Sequence, residues 1–186
     1  MRGRGTHAPA TTTGGCTVWK VVLSVSVAAL WAAPAPASAA PTGPAMVAVG
    51  SPAAVVTPDE AALMSLIVTQ TNQRRHAAGC GPVEVDADLI VASLRQSDFM
   101  ADTGTFSHIG RGGSTFVARA RAAGYTAPAG ENIAWGYATA TEVMDAWMAS
   151  PAHRRNILNC DARAIGTGVR HAADGTPYFT QVFGWN

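Results

Sequence analysis

Between Ala164 and Trp185 the chain alternates with a period of two, and one of the alternating sets is nearly bare. Ile165, Thr167 and Val169 interleave with Gly166, Gly168 and Arg170. Asp174-Gly175 then offers a tight hairpin turn, after which Phe179, Gln181 and Phe183 interleave with Tyr178, Thr180 and Val182. Two strands follow, Ala164 to His171 and Tyr178 to Trp185. A glycine inside a strand gives up side-chain packing, so two on one face fit where another backbone comes close. The hairpin must therefore lie against helices, and the rest of the chain must supply them.

It supplies five helical segments. Thr57-Pro58-Asp59-Glu60 has an N-cap, a proline at the first helical position and an acid that completes a capping box, opening a helix from Pro58 to Ala78 that buries Leu63, Leu66, Ile67 and Thr71. Asp86 caps a second helix, near Ala87 to Ala101, with Leu89, Ser93, Gln96 and Met100 on one line. Arg95, Asp98 and Asp102 read as its solvated face. Ser114 is placed to cap a short helix from Thr115 to Ala123, with Phe116 and Ala120 inward and Gly124 as the stop. Thr139 and Glu142 repeat the capping box ahead of the apolar stripe Val143, Met144, Trp147 and Met148, and Ser150-Pro151 starts one more short helix. Helices followed by an antiparallel hairpin make the class α+β, with helices on both faces of a small sheet.

The N-terminal region has another character. Arg2, Arg4 and Lys20 precede an apolar run from Val21 to Ala33, and Ala37-Ser38-Ala39 has the small-x-small form of a signal-peptidase site. The run is shorter than the ~20 apolar residues of a membrane span. Residues 1–39 are thus read as a signal peptide, with a retained anchor as the alternative. Residues 40–57, uncharged and holding Pro41, Pro44 and Pro52, read as a flexible linker. The domain proper is 58–186, in a protein expected to be secreted, with association with the cell wall left open and no stable membrane span after cleavage. Cleavage would remove three of the 13 basic residues and none of the 12 acidic ones, so no basic field is left to hold nucleic acid. It would also remove Cys16, leaving Cys80 and Cys160 as an even pair in an oxidising compartment, where a disulfide is expected. In the chain-entropy model such a bridge, closing a loop of ~80 residues, stabilises by about 4 kcal/mol.

Four polar residues stand out against this apolar background. His108 lies in the aperiodic, glycine-rich stretch 104–113; Glu131 lies in Gly130-Glu131-Asn132-Ile133-Ala134, among residues that pack closely. Glu142 is the acid of a capping box, and His153 falls at the third position of the last short helix. Each has a purely structural explanation. A loop histidine can be merely solvated, an Asn/Glu pair can satisfy backbone donors at a chain reversal, and Glu142 can do no more than cap. A histidine in the first turn of a helix is disfavoured as a cation, which keeps its ring neutral and available as a ligand or proton acceptor near pH 7.

Taken in order, Ser107-His108, Gly130-Glu131-Asn132-Ile133-Ala134, Glu142 in Glu142-Val143-Met144-Asp145-Ala146-Trp147, and the run from Ser150-Pro151-Ala152-His153 to Asn156-Ile157-Leu158 resemble the motifs of the CAP superfamily. These are the cysteine-rich secretory, antigen 5 and pathogenesis-related 1 proteins, also called the SCP domain. The likeness runs over about residues 59–186 and is to the short bacterial branch, since the cysteine-rich pattern of the eukaryotic members is missing. It implies a three-layer α-β-α sandwich with a small, mainly antiparallel sheet. It also implies a cleft lined by His108, Glu131, Glu142 and His153, in which the two histidines hold a divalent metal ion such as zinc.

Three functions compete. The preferred one is an extracellular binding module whose cleft takes a small hydrophobic or cell-envelope ligand, with the carboxylates supporting a histidine-bound metal. The second is a metal-dependent hydrolase or peptidase, in which Glu131 or Glu142 takes a proton from metal-bound water. The His-Glu-x-x-His spacing of common zinc proteases is missing. The third is an interaction or defence-type protein whose cleft is structural.

Overall fold

Residues 55–186 are described in the computed structural model of the protein. The signal-peptide reading, Cys16 and most of the linker reading lie outside the described residues. The elements are α1 (Pro58–Ala77), β1 (Glu84–Val85), α2 (Ala87–Thr103), α3 (Phe116–Ala123), β2 (Pro128–Trp135), α4 (Ala140–Ala149), α5 (Pro151–Ile157), β3 (Ala164–His171) and β4 (Pro177–Gly184). The strands form one sheet in the order β1-β3-β4-β2. β4 runs antiparallel to both β3 and β2, whereas the two-residue β1 is parallel to β3, so the sheet is mixed rather than purely antiparallel.

The bare face of β3 meets α2 at backbone distance. A Cβ built on Gly166 would lie 2.0 Å from the carbonyl carbon of Leu89, and one on Gly168 would lie 2.5 Å from that of Ser93. Any side chain there would push the helix off the sheet. The hydroxyls of Ser93 and Ser97 use the close approach, donating to the carbonyls of Gly166 and Gly168 at 3.0 and 2.9 Å. Leu89, Ala92, Ala120, Tyr125 and Val182 form the core on this side. The other residues of the alternation, Ile165 and Val169, pack with Ile67 of α1, Trp147 of α4, Ile157 of α5 and Phe179 and Phe183 of β4. The result is the expected sandwich, with α1, α4 and α5 over one face and α2 and α3 over the other.

Both capping boxes form, Thr57 with Glu60 and Thr139 with Glu142. Three smaller expectations are corrected. Leu66, placed on the buried face of α1, is 49% exposed. Thr115, not Ser114, caps α3, accepting the Ala118 N–H at 3.2 Å. Ser114 instead closes the preceding loop, its carbonyl accepting the Gly110 N–H at 2.8 Å. Asp98 is not simply solvated, because its carboxylate lies 2.5 Å from Arg170 Nε in a pair whose arginine is buried. The expected disulfide joins Cys80 and Cys160, with their Cα atoms 4.9 Å apart, tying the end of α1 to the loop after α5. Beside it the fully buried Arg75 donates to the carbonyls of Gly81, Ile157, Asn159 and Ala162, so one side chain satisfies four acceptors of irregular backbone.

Candidate functional site

The site is built on β2, a strand the sequence hides. Gly, Glu, Asn and Ala are poor strand formers, which is why Gly130 to Ala134 also reads as a chain reversal. The segment is instead paired with β4 along its length, Glu131 opposite Val182 and Ile133 opposite Thr180. Its other side is fastened by side chains. Asn156 Nδ2 donates to the Glu131 carbonyl at 3.1 Å and to Asn132 Oδ1 at 2.8 Å, and Trp147 Nε1 donates to the Ile133 carbonyl at 3.1 Å. Gly130 leaves room for this, since a Cβ there would lie 2.9 Å from Asn156 Oδ1. Asn132 Nδ2 donates in turn to the His153 carbonyl at 3.2 Å and to Gln181 Oε1 at 3.0 Å. This buried amide chain sets α5, and with it His153, at a fixed position beside β2.

His108 is held from below. The loop that carries it leaves α2 through Gly104, whose φ of 65° is a left-handed conformation that suits glycine. Gln96 Nε2 donates to the Ser107 carbonyl at 2.5 Å, and Arg119 of α3 donates through Nη1 to the carbonyls of Ser114 at 2.7 Å and His108 at 3.3 Å. Arg119 also places Nη2 2.5 Å from Glu131 Oε2, and Glu131 Oε1 lies 2.8 Å from His108 Nδ1. The Arg119 and Glu131 side chains are 4% and 1% exposed, the His108 ring 54%. Both oxygens of Glu131 are thus engaged, one by the guanidinium and one by the imidazole. Arg119 is the part of this assembly that the sequence reading passed over, while Gln96 is placed there on one line of the second helix but given no role. The signal was present: Arg119 is three residues after the inward Phe116 and so shares its face of α3.

His153 is partly buried, and burial together with the positive charge of His108 holds its pKa below the ordinary imidazole value. The direction is the one expected from sequence, but burial and the neighbouring histidine bring it about. His153 also lines a pocket of about 310 Å³ whose walls include Phe106, Trp135, Tyr137, Trp147 and Ser150. Trp135 is half exposed and stacks on Tyr178, centroids 6.4 Å apart at 20°, with Phe106 tilted against it at 6.5 Å. Ser150 lends its hydroxyl to no helix cap, contrary to the cap-plus-proline reading.

Glu142 is occupied elsewhere. Its Oε2 accepts the backbone N–H groups of Ala138 and Thr139 at 2.9 and 3.0 Å. Among the described residues no hydrogen bond joins it to either histidine, and no group of three or more His, Cys, Asp or Glu side chains is placed to hold a metal ion. His108 has its Nδ1 engaged and its Nε2 left over, and His153 favours the neutral form that a metal ligand needs.

The sandwich and this arrangement of residues define a domain of the SCP type. The model of CAP, the cysteine-rich secretory protein family, matches residues 68–183, and the chain belongs to that family. It is 38% identical over 104 residues to the Bacillus subtilis (strain 168) uncharacterized protein YkwD, covering 55% of this chain and 40% of that protein. It is 29% identical over 118 residues to the uncharacterized membrane protein YlbC of the same strain, covering 63% and 33%. The chain therefore spans well under half the length of these curated relatives. Among solved structures it resembles an extracellular SCP-domain protein of Bacillus anthracis str. Ames, with a TM-score of 0.63 and 26% identity over 71% of this chain and 45% of that one. An outer surface protein of Borrelia burgdorferi shares the fold, with a TM-score of 0.59 at 22% identity over 65% of this chain and 90% of that one.

Proposed function

We propose that this CAP protein is an extracellular binding module. His108 and His153 hold a divalent metal such as zinc, and the adjoining aromatic pocket takes a small hydrophobic or cell-envelope ligand. The observation that carries the reading is the placement of His153, which lines the Phe106–Trp135 pocket while Asn132 ties its backbone to β2, the strand whose Glu131 holds His108. A ligand in that pocket would sit next to the metal. Two imidazoles leave most of a zinc coordination shell to water or to the ligand, which suits an open site and not a closed structural one. Bound there, the metal would supply Lewis acidity; the chain's own residues position it and shape the pocket. Binding is favoured over hydrolysis because Glu131 has both oxygens engaged by Arg119 and His108, and Glu142 is fixed through Oε2 at the start of α4, with no hydrogen bond to either histidine among the described residues. Export is supported by the Cys80–Cys160 disulfide and by the extracellular and outer-surface relatives.

Calorimetric titration of the purified protein with Zn²⁺ tests the reading. One site is expected in the wild type and none in the His108→Ala, His153→Ala double variant, with its circular dichroism unchanged. Loss of the fold in the double variant would favour the structural-cleft alternative. Quenching of Trp135 fluorescence by lipid or envelope fragments, removed by Trp135→Ala, tests the ligand half.

A further inference from the structure

We infer that Arg119 locks Glu131 in place as the acceptor of the hydrogen-bond chain Arg119–Glu131–His108, and that this fixes the tautomer that leaves the lone pair of His108 Nε2 free for a metal. The inference rests on the metal-binding reading for its purpose, but on geometry alone for its content. A guanidinium carries five N–H donors and no acceptor, so whatever Glu131 presents to Arg119 Nη2 at 2.5 Å must accept. A carboxylate also presents an acceptor at its other oxygen, which lies 2.8 Å from His108 Nδ1. In the neutral ring the proton then sits on Nδ1, and Nε2 carries the lone pair. Burial of Arg119 and Glu131 denies the pair any competing water, and Arg119 cannot swing away because its Nη1 also binds the carbonyls of His108 and Ser114. Arg119 is thus a positioning residue acting two bonds away from the histidine it serves.

The same logic makes a paradoxical prediction for a nearly isosteric change. In Glu131→Gln the donor-only guanidinium claims the amide oxygen, so the NH₂ group faces His108 Nδ1. That nitrogen must now accept, the proton moves to Nε2, and the lone pair disappears from the only ring nitrogen available to a metal. Zinc affinity should fall by about 10- to 100-fold, the usual loss when a partner of a metal-binding histidine is changed. If Arg119 dictates the direction, removing it in the Glu131→Gln background frees the amide to turn its oxygen towards His108. Arg119→Met combined with Glu131→Gln should therefore restore the Nδ1–H ring.

The experiment is a long-range ¹H–¹⁵N correlation spectrum of the imidazole nitrogens in metal-free full-length protein at alkaline pH, with His108 assigned by its loss in His108→Gln. The expected result is Nδ1–H in the wild type, Nε2–H in Glu131→Gln and Nδ1–H again in the double variant. An Nε2–H ring in the wild type overturns the inference outright and needs no variant that might fail to fold. An Nε2–H ring in a folded double variant removes Arg119 from its role. A wild type that shows Nδ1–H but takes up no zinc leaves the inference standing and sinks only the metal-binding reading.

Discussion

Two sets of the same three side chains occur among the described residues, and they are wired differently. Arg119, Glu131 and His108 form one, at 2.5 and 2.8 Å; Arg170, Glu60 and His171 form the other, at 3.1 and 3.4 Å. In the first, each carboxylate oxygen has a single side-chain partner. In the second the contacts are spread. Glu60 also accepts the Thr57 N–H at 2.9 Å to close the capping box and the His171 N–H at 3.2 Å, and Arg170 has a second carboxylate in Asp98. Spreading the charge makes a joint that holds α1, α2 and β3 together. Concentrating it makes a pedestal for one imidazole. Residue types alone do not separate the two; the number of groups that share each carboxylate does.

The largest effect should come from removing each glutamate in turn. Glu131→Ala leaves Arg119 buried with no carboxylate, and breaking a buried pair in this way costs about 3–5 kcal/mol. Glu60→Ala leaves Arg170 still paired with Asp98, so the expected loss is that of a cap and its hydrogen bonds, about 1–2 kcal/mol. Urea unfolding of the two variants measures the difference. Equal costs would abolish the distinction between a pedestal and a joint.

The two sets should also separate along the pH axis. At His153, burial and then His108 depress the pKa below 6.5. The unfolded chain therefore takes up a proton that the folded one refuses, and the resulting stability is present above pH 6.5 and lost as pH falls below it. At Glu60, burial pushes the carboxyl up, but hydrogen bonds from Thr57 and His171 and the charge of Arg170 outweigh it and leave the pKa below 4.5. Its contribution is present above pH 4.5 and lost only as pH falls further. Asp98 works against it: burial outweighs Arg170 and raises its pKa above 3.8, so its contribution shrinks as pH rises through that window. Thermal unfolding across pH should therefore show His153→Asn flattening the curve just below pH 6.5 while leaving the acid limb intact. Glu60→Gln should do the reverse.

These contrasts show what could be read from the sequence and what could not. The bare face of Gly166 and Gly168 and the capping boxes at Thr57 and Thr139 are local signals, the Cys80–Cys160 bridge follows from an even cysteine pair, and each forms as expected. β2 escaped because its residues favour turns, and its strand state is imposed by β4 on one side and by Asn156 and Trp147 on the other. Arg119 goes unremarked in the sequence and Asp98 reads as a surface charge because their partners, Glu131 and Arg170, lie 12 and 72 residues away and meet them only once the sheet has formed. The motif likeness gathered His108, Glu131, Glu142 and His153 into one cleft without distinguishing the tasks of the two carboxylates.

The smallest expected effect bears on that last point. Glu142 and Glu131 enter the sequence reading as equivalent cleft carboxylates, yet the first bonds only backbone N–H groups at the start of α4 and the second is clamped between an arginine and a histidine. Glutamine can fill the third position of a capping box as glutamate does, so Glu142→Gln should cost no more than about 0.5 kcal/mol, a thermal shift of about 1–2 °C for a domain of this size. Zinc affinity should stay within about twofold of the wild type, against the 10- to 100-fold loss expected for Glu131→Gln. The pair of titrations isolates function from fold, since both substitutions keep side-chain volume and only one lies next to a ring nitrogen. If Glu142→Gln weakened zinc as much as Glu131→Gln, Glu142 would have to share the histidines' task in the metal-bound protein, and the cleft would work as four residues instead of a pedestal and a neighbour.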